Sequence, residues 1–255
     1  MAKLFWFSYI SIKSITTNLN ELEEVKEGLR KSVLAAEVYP VICGSAVKNI
    51  GIATLLNMII DYNPCPDDLK PMEGKNPQTG ELIEKPTRDH EPFAGYVFKT
   101  IIDPFVGTIN FFKIYSGVAK TGMDVYIPNT DQTVKLTQIF SLMGKTQLPL
   151  DAAYAGDIVA VAKLPELEIG YTLCDKKAPV IFEKPEYPTP IYYVAIKPKN
   201  KQDEEKISSA LHKIKQEDPT FEFKRNPETA QLLIGGQGVL HIGYIVDKLK
   251  NIFKV

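Results

Sequence analysis

The chain has 255 residues, of which 44% are hydrophobic and 24% are charged, a composition typical of an ordinary globular protein. Its length allows one or two domains, or three small ones. Thirty Lys and Arg residues stand against 31 Asp and Glu residues, giving a formal net charge of −1. This balance excludes a strongly basic, general polyanion binder, so any contact with nucleic acid must be local.

The N-terminal segment, residues 1–19, is atypical. An apolar and aromatic stretch of nine residues follows Lys3, but it has no small-residue cleavage site and is too short to span a bilayer. We interpret the segment as a truncation or a remnant of expression cloning, and expect no membrane association. The three cysteines, Cys43, Cys65 and Cys174, are far apart, which favours reduced thiols in the cytoplasm.

Residues 20–66 predict the end of an α/β layer. Apolar residues recur at helical spacing from Asn20 to Ala36, and a second apolar helical face begins at Ile52. Between them, Val38–Cys43 predicts a short buried strand and Gly44–Ala46 a turn. Helix, strand, loop and helix in this order are typical of a layered α/β domain.

Residues 67–91 are rich in Pro and charge and poor in apolar periodicity, which predicts a surface linker and a domain boundary. Residues 92–180 then contain short β-rich runs separated by turn residues. Closely spaced strands without intervening helices favour a small all-β barrel. We predict mostly inward side chains at Phe98, Ile109, Phe111, Val125, Ile139, Ile158 and Val161.

A second Pro-rich linker, residues 181–190, precedes an α+β pattern. Residues 191–255 predict a strand, an amphipathic helix, two short strands and a final helix after Gly238. This βαββα order is one strand short of the ferredoxin-like split βαβ sandwich. The predicted bounds are Ile191–Lys197, Lys201–Glu217, Thr220–Lys224 and Ala230–Ile234.

Two strings resemble nucleotide-binding motifs, and both are rejected on mechanism. Gly144-Lys145-Thr146 matches the end of a P-loop, but Ile139 stands where the first glycine belongs, and Pro149 follows too soon for a helix. Asn200-Lys201-Gln202-Asp203 spells a guanine-reading motif, but it opens an amphipathic helix. Acidic residues are favourable at that position because of the helix dipole.

Two other positions leave alternatives open. Gly44-Ser45-Ala46 is either an ordinary turn between strand and helix or a loop whose amides meet the O6 atom of guanine. His241 follows Gly236-Gln237-Gly238 by a few residues. It is either satisfied by neighbours at a helix start or presented at a domain interface.

Three blocks of the sequence together resemble the elongation factor G family, in the family's own order. They are GLRKSVLAAEVYPVICGSAVKNIGIATLLNMIIDYNPCPDD, then FKTIIDPFVGTINFFKIYSGVAKTG with AGDIVAVAKL and TLCD, and finally QEDPTFEFKRNPETAQLLIGGQGVLHIGYIVDKLK. The resemblance runs from Gly28 to Val255. MGKTQLP, PELEIG and Val239 depart from the housekeeping factor, and the chain is most similar to divergent paralogues.

The resemblance implies the end of a GTPase domain, the barrel called domain II and the α+β domain III. Ser45 and Ala46 match the guanine-base loop of an intact parent that uses GTP or GDP with Mg²⁺. The phosphate loop lies upstream of Asn20 in the family, so we expect this chain alone to bind no nucleotide and to hydrolyse no GTP. The implied partners are the ribosome, ribosomal RNA and small-subunit proteins in the cytoplasm.

Two further functions stay open, a ribosome-protection GTPase of the tetracycline-resistance type and a stand-alone RNA-binding protein. The family's domain III closes with a strand that should begin near Val255 and pair with Ile191–Lys197. We therefore expect the α+β domain to be incomplete. Its open strand edge should either fray or pair with another copy of the chain.

Overall fold

The structure is a computed structural model that describes residues 19–103, 106–144, 146–198 and 203–255. The chain divides into two compact units, Met1–Lys70 and Pro71–Val255. No helix among the described residues is long and apolar enough to cross a membrane. The segment predicted to be atypical lies, up to residue 18, outside the described residues.

The smaller unit contains both predicted helices, α1 (Leu19–Leu34) and α2 (Ile52–Tyr62). Arg30 on α1 donates to the Asp61 carbonyl at 2.9 Å and to the Asp68 carboxylate at 2.6 Å. Asp68 also accepts from the Cys65 amide at 2.8 Å, and the hydrogen bonds from Cys65, with Arg30 beside them, lower the pKa of Asp68. These contacts anchor α1 to the segment that follows α2.

The buried strand predicted at Val38–Cys43 is wrong. The segment has no strand assignment, and Tyr39 and Val41 are 77% and 91% exposed. A strand needs a neighbour to satisfy its backbone, and the described residues of this unit offer it none beyond the isolated Ser45–Ile50 bridge. The apolar face of α2 is likewise uncovered, although the helix itself is confirmed.

The larger unit is mostly antiparallel sheet and contains two helices in its C-terminal part, α3 (Glu204–Glu217) and α4 (Val239–Asn251). Its described strands are β1 Met72–Lys75, β2 Leu82–Lys85, β3 Ala94–Asp103, β4 Gly107–Ser116, β5 Ala119–Lys120, β6 Asp124–Ile127, β7 Gln132–Lys135, β8 Ile139–Met143, β9 Thr146–Leu150, β10 Ala152–Ala153, β11 Ile158–Ala162, β12 Thr172–Cys174, β13 Ile181–Phe182, β14 Tyr192–Ile196, β15 Glu222–Arg225 and β16 Leu232–Gly236.

An eight-stranded antiparallel sheet forms the centre of the β domain, residues 71–182. Its strand order is β7-β6-β12-β3-β4-β11-β8-β9. Val125 and Ile127 of β6 share one core cluster with Phe112 of β4 and Ile139 of β8. Because strands near both ends of the order contribute to one core, the sheet curves around it. This barrel-like arrangement confirms the predicted all-β domain.

Successive side chains along a strand point to opposite faces of the sheet, and this alternation decides which of the predicted inward residues are buried. Phe98 is 39% exposed and Ile158 is 56% exposed, so both predictions are wrong. A bulge between Val97 and Lys99 shifts the alternation at Phe98. Ile158 lies three residues from the buried Val161 and therefore on the opposite face. Val125, Ile139 and Val161 are buried in the main core, Ile109 is buried in a second cluster, and Phe111 is only partly buried beside Ile109.

The linker predicted at residues 67–91 is also wrong over most of its length. Strands β1 and β2 form a hairpin there, and β1 pairs on its other side with β13. Gly74 lies in this three-stranded sheet, where an added Cβ would be 2.4 Å from the Val180 side chain. The Pro-rich and charged composition conceals two short strands whose apolar residues are few.

The α+β domain, residues 191–255, has the predicted βαββα order. Its sheet order is β14-β16-β15, and both helices contribute to a core with the sheet. β15 begins two residues later than predicted because a turn at residues 219–220 follows α3, and β16 begins two residues later because a second turn fills residues 226–230. Its largest fully buried side chains are Leu211, Ile214, Phe221, Ile234 and Ile245.

Candidate functional site

Ser45 and Ala46, the predicted guanine-base residues, lie in a tight loop before α2. Ser45 and Ile50 exchange two backbone hydrogen bonds of 2.9 and 3.0 Å, and Ser45 Oγ accepts from the Lys48 amide at 3.4 Å. Gly44 must pass close to this bridge, because an added Cβ would be 2.6 Å from the Ile50 carbonyl oxygen. The loop is therefore closed by its own backbone, and its role toward guanine stays a prediction.

The rejected P-loop string is part of a hairpin. Gly144 has a φ of 61° and follows Met143, which pairs with Thr146 across the turn between β8 and β9. Thr146 begins a strand, whereas a phosphate loop requires a helix N-terminus at that point. Lys145 and Asn200–Gln202, of the second rejected string, lie outside the described residues.

Glu217, the last residue of α3, joins the α+β domain to the β domain. One carboxylate oxygen accepts from the Ile102 amide of β3 at 2.6 Å, and the other pairs with the ammonium of Lys248 on α4. The side chains of Glu217 and Lys248 are only 11% and 14% exposed. A single carboxylate therefore connects the β3 backbone with both helices of the neighbouring domain.

The position of Glu217 is unfavourable for α3 itself. A carboxylate at a helix C-terminus faces the negative end of the helix dipole, which costs a few tenths of a kcal/mol to about 1 kcal/mol. The Ile102 amide and Lys248 offset that cost by giving the charge two donors. Helix stability therefore does not explain Glu217, whereas the contact between domains does.

Asp218, the residue after Glu217, forms a hydrogen-bonded pair with His241. The Gln237 amide donates to His241 Nδ1 at 3.1 Å, so the ring proton lies on Nε2, which donates to Asp218 Oδ2 at 2.8 Å. The other oxygen of Asp218 accepts from the amide and the hydroxyl of Thr220, at 2.8 and 2.6 Å. His241 is thus satisfied by its neighbours, as the first of its two alternatives predicted.

Gln237 attaches the connector, residues 183–190, to the α+β domain. Its side-chain amide donates to the carbonyls of Pro188 and Thr189, both at 3.1 Å. The adjacent Gly236 keeps the turn narrow, because an added Cβ would be 2.8 Å from His241 Nδ1. The two family-like strings, Glu217–Phe221 and Gly236–His241, thus meet in one hydrogen-bonded network.

Sequence reasoning missed the roles of Glu217, Lys248 and Gln237. The sequence did contain one signal for Glu217. It is an acidic residue at the C-terminus of an amphipathic helix, where a basic residue is normally favoured, which indicates a role outside the helix. The described residues contain no group of three or more His, Cys, Asp or Glu side chains that could hold a metal ion.

Comparison with known proteins places both domains in one family. The model for elongation factor G domain 2 matches residues 92–176, and the model for elongation factor G domain III matches residues 187–255. A crystal structure of a protein from Thermus thermophilus is similar, with 29% identity and a TM-score of 0.69. The match covers 91% of this chain and 34% of that one, so the chain spans about a third of that protein. With two domains matched in the family's order, the chain belongs to the elongation factor G family and carries its domains II and III.

Proposed function

We propose that this chain supplies the ribosome-docking and relay domains of a translational GTPase that acts in the cytoplasm. The proposal is supported by the presence of domains II and III and above all by the Glu217 contact between them. A relay requires that movement of one module reach the next. The partly buried carboxylate of Glu217, on a helix of one domain and bonded to a strand of the other, provides such a connection.

Contact with ribosomal RNA requires local positive charge. From Pro190 onward the chain has 11 Lys and Arg residues and eight Asp and Glu residues, a local net charge of +3. Lys213 and Lys215 are exposed on α3, and Lys250 is exposed on α4. We propose that these side chains approach RNA phosphates and proteins of the small subunit.

Co-sedimentation with purified ribosomal subunits tests this proposal. We expect retention on the small subunit that falls steeply between about 50 and 200 mM salt, because phosphate contacts release counterions. The double charge reversal Lys213→Glu and Lys215→Glu should weaken retention. Reversing Lys26 and Lys48, which are exposed in the smaller unit, provides the matched control.

Two outcomes would count against the proposal. Absence of binding to either subunit at low salt would contradict it. Equal binding to free, unstructured RNA and to assembled subunits would favour the stand-alone RNA-binding protein instead.

The Ser45–Ala46 loop is proposed as one edge of a guanine site in an intact parent, with GTP or GDP and Mg²⁺ held by other parts of that parent. The proposal rests on the match of Ser45 and Ala46 to the family's guanine-base loop and on the position of the loop directly before α2; the Ser45 amide itself is bonded to the Ile50 carbonyl. For this chain alone we expect no GDP affinity tighter than about 100 μM, equivalent to roughly 5.5 kcal/mol. Isothermal titration calorimetry that found tighter binding would overturn that expectation.

A further inference from the structure

Strand β3 has one edge that the sheet covers only in part. β12 pairs with it at Ala94–Tyr96, whereas β4 follows the opposite edge as far as Asp103. Beyond β12, the Ile102 amide is bonded by Glu217 of the α+β domain. A side chain of domain III thus caps a strand edge that would otherwise present an unpaired donor.

The two charges of this contact depend on each other. Glu217 and Lys248 are both nearly withdrawn from water, and leaving either one buried without its partner is more unfavourable than removing both. The contact therefore favours two states, one with the pair closed on β3 and one with both charges returned to water.

The connector is suited to serve as the hinge between these states. Gln237 holds Pro188 and Thr189 against the α+β domain, and β13 ends at Phe182 in the β domain. Residues 183–187 run between these two attachments. The Lys184 side chain lies against Gly170 and Tyr187 lies near Tyr96, so a swing about this segment must also release these two contacts with the β domain. Glu183 and Glu186 are exposed there, and Pro185 limits the bending of the segment.

We propose that Glu217 and Lys248 form a releasable latch that fixes the α+β domain to the β3 edge, and that opening this latch lets the domain swing about residues 183–187. The latch is a property of the contact itself. It goes beyond the proposed ribosome binding and does not depend on it.

Hydrogen exchange on the full chain tests the latch, read at the Ile102 amide and at amides inside each domain. Lys248→Met should raise exchange at Ile102 by about tenfold or more while the cores of β11 and α3 keep their protection. The double variant Glu217→Gln and Lys248→Met, which removes both charges and keeps an acceptor, should recover part of that protection. Glu205→Gln, on the exposed face of the same helix, should change nothing.

Cleavage by a glutamyl endopeptidase after Glu186 provides an independent readout of the hinge. We expect Lys248→Met to be cut there faster than the unmodified chain, and the double variant to be cut at an intermediate rate. Unchanged Ile102 exchange and unchanged cleavage in Lys248→Met would overturn the proposal. Loss of protection throughout the α+β domain in both variants would overturn it as well, because the pair would then be part of the fold and not a latch.

Discussion

Tyr96 on β3 has a buried hydroxyl with no hydrogen-bond partner among the described residues. The residue is 8% exposed, and its ring packs edge-on against Phe182. Burial, with the neighbouring phenols of Tyr187 and Tyr115, raises the pKa of Tyr96 to about 12. The fold therefore favours the neutral phenol of Tyr96. The stability that this preference gives the folded state is fully present below pH 10 and is lost as the pH rises toward 12.

Tyr96→Phe is expected to stabilise the β domain at neutral pH by about 1 kcal/mol, because an unsatisfied buried polar group costs roughly 1–3 kcal/mol. The free energy of unfolding from urea titration measures this change. Tyr126→Phe is the matched control, since Tyr126 donates to Asp131 at 2.9 Å and its loss should not stabilise. A lower free energy of unfolding for Tyr96→Phe would show that the hydroxyl has a partner in solution.

At the scale of elements, the chain builds the same hairpin turn twice. In Asn76–Gly80 and in Asn226–Ala230, the Asn side chain accepts two amides and the Asn amide bonds across the turn at 2.8 Å. The fifth residue has a positive φ in both, 73° at Gly80 and 56° at Ala230. The two turns thus differ in whether a glycine occupies the strained position.

This difference predicts opposite effects of two substitutions. Gly80→Ala should destabilise by about 1 kcal/mol, because a Cβ disfavours the left-handed conformation, and no atom lies within 4 Å of the added Cβ to confuse the result. Ala230→Gly should be neutral or stabilising by a few tenths of a kcal/mol, since the relief of strain slightly exceeds the entropy that glycine loses. Thermal unfolding of both variants measures the effects, and a fall in stability for Ala230→Gly would contradict the strain argument.

The same turns show what the sequence could predict and what it could not. Long strands such as β3 and β4 were visible as β-rich runs, but β1 and β2 are four residues each and are dominated by charge. The sequence of Asn76–Gly80 is similar to that of Asn226–Ala230, which joins β15 and β16. That similarity would have indicated that strands also flank Asn76–Gly80. At Val38–Cys43 the error was the opposite, a strand predicted where none forms. The apolar residues there predict burial, but the sequence pattern does not show whether a neighbouring strand is present to pair with them. The family strings identified Asp218 and His241, whereas their mutual hydrogen bond required the fold.

At the scale of the whole molecule, β14 lies at the edge of its three-stranded sheet. It pairs with β16 on one side, and the described residues give it no strand on the other. Ile191, directly before β14, and Tyr192, its first residue, are 78% and 39% exposed. A partly apolar edge of this kind readily recruits another strand.

We therefore expect the chain to self-associate through β14 as its concentration rises. Ala195→Lys places a charge on this exposed strand and should shift the equilibrium toward the monomer, whereas Ser209→Lys on the exposed face of α3 should not. Light scattering coupled to size exclusion measures both. A chain that stays monomeric and protects Tyr192–Ile196 from hydrogen exchange as well as it protects β11 would rule out both fraying and pairing.

The adjacency of Glu217 and Asp218 has a mechanical consequence. Glu217 touches the β domain and Asp218 touches His241 at the start of α4, and their Cα atoms are separated by one peptide unit of about 3.8 Å. The peptide between them is planar, so only the torsions on either side of it can absorb movement. A shift of β3 would therefore displace the end of α3, and the Asp218–His241 hydrogen bond would pass part of that displacement to the first turn of α4.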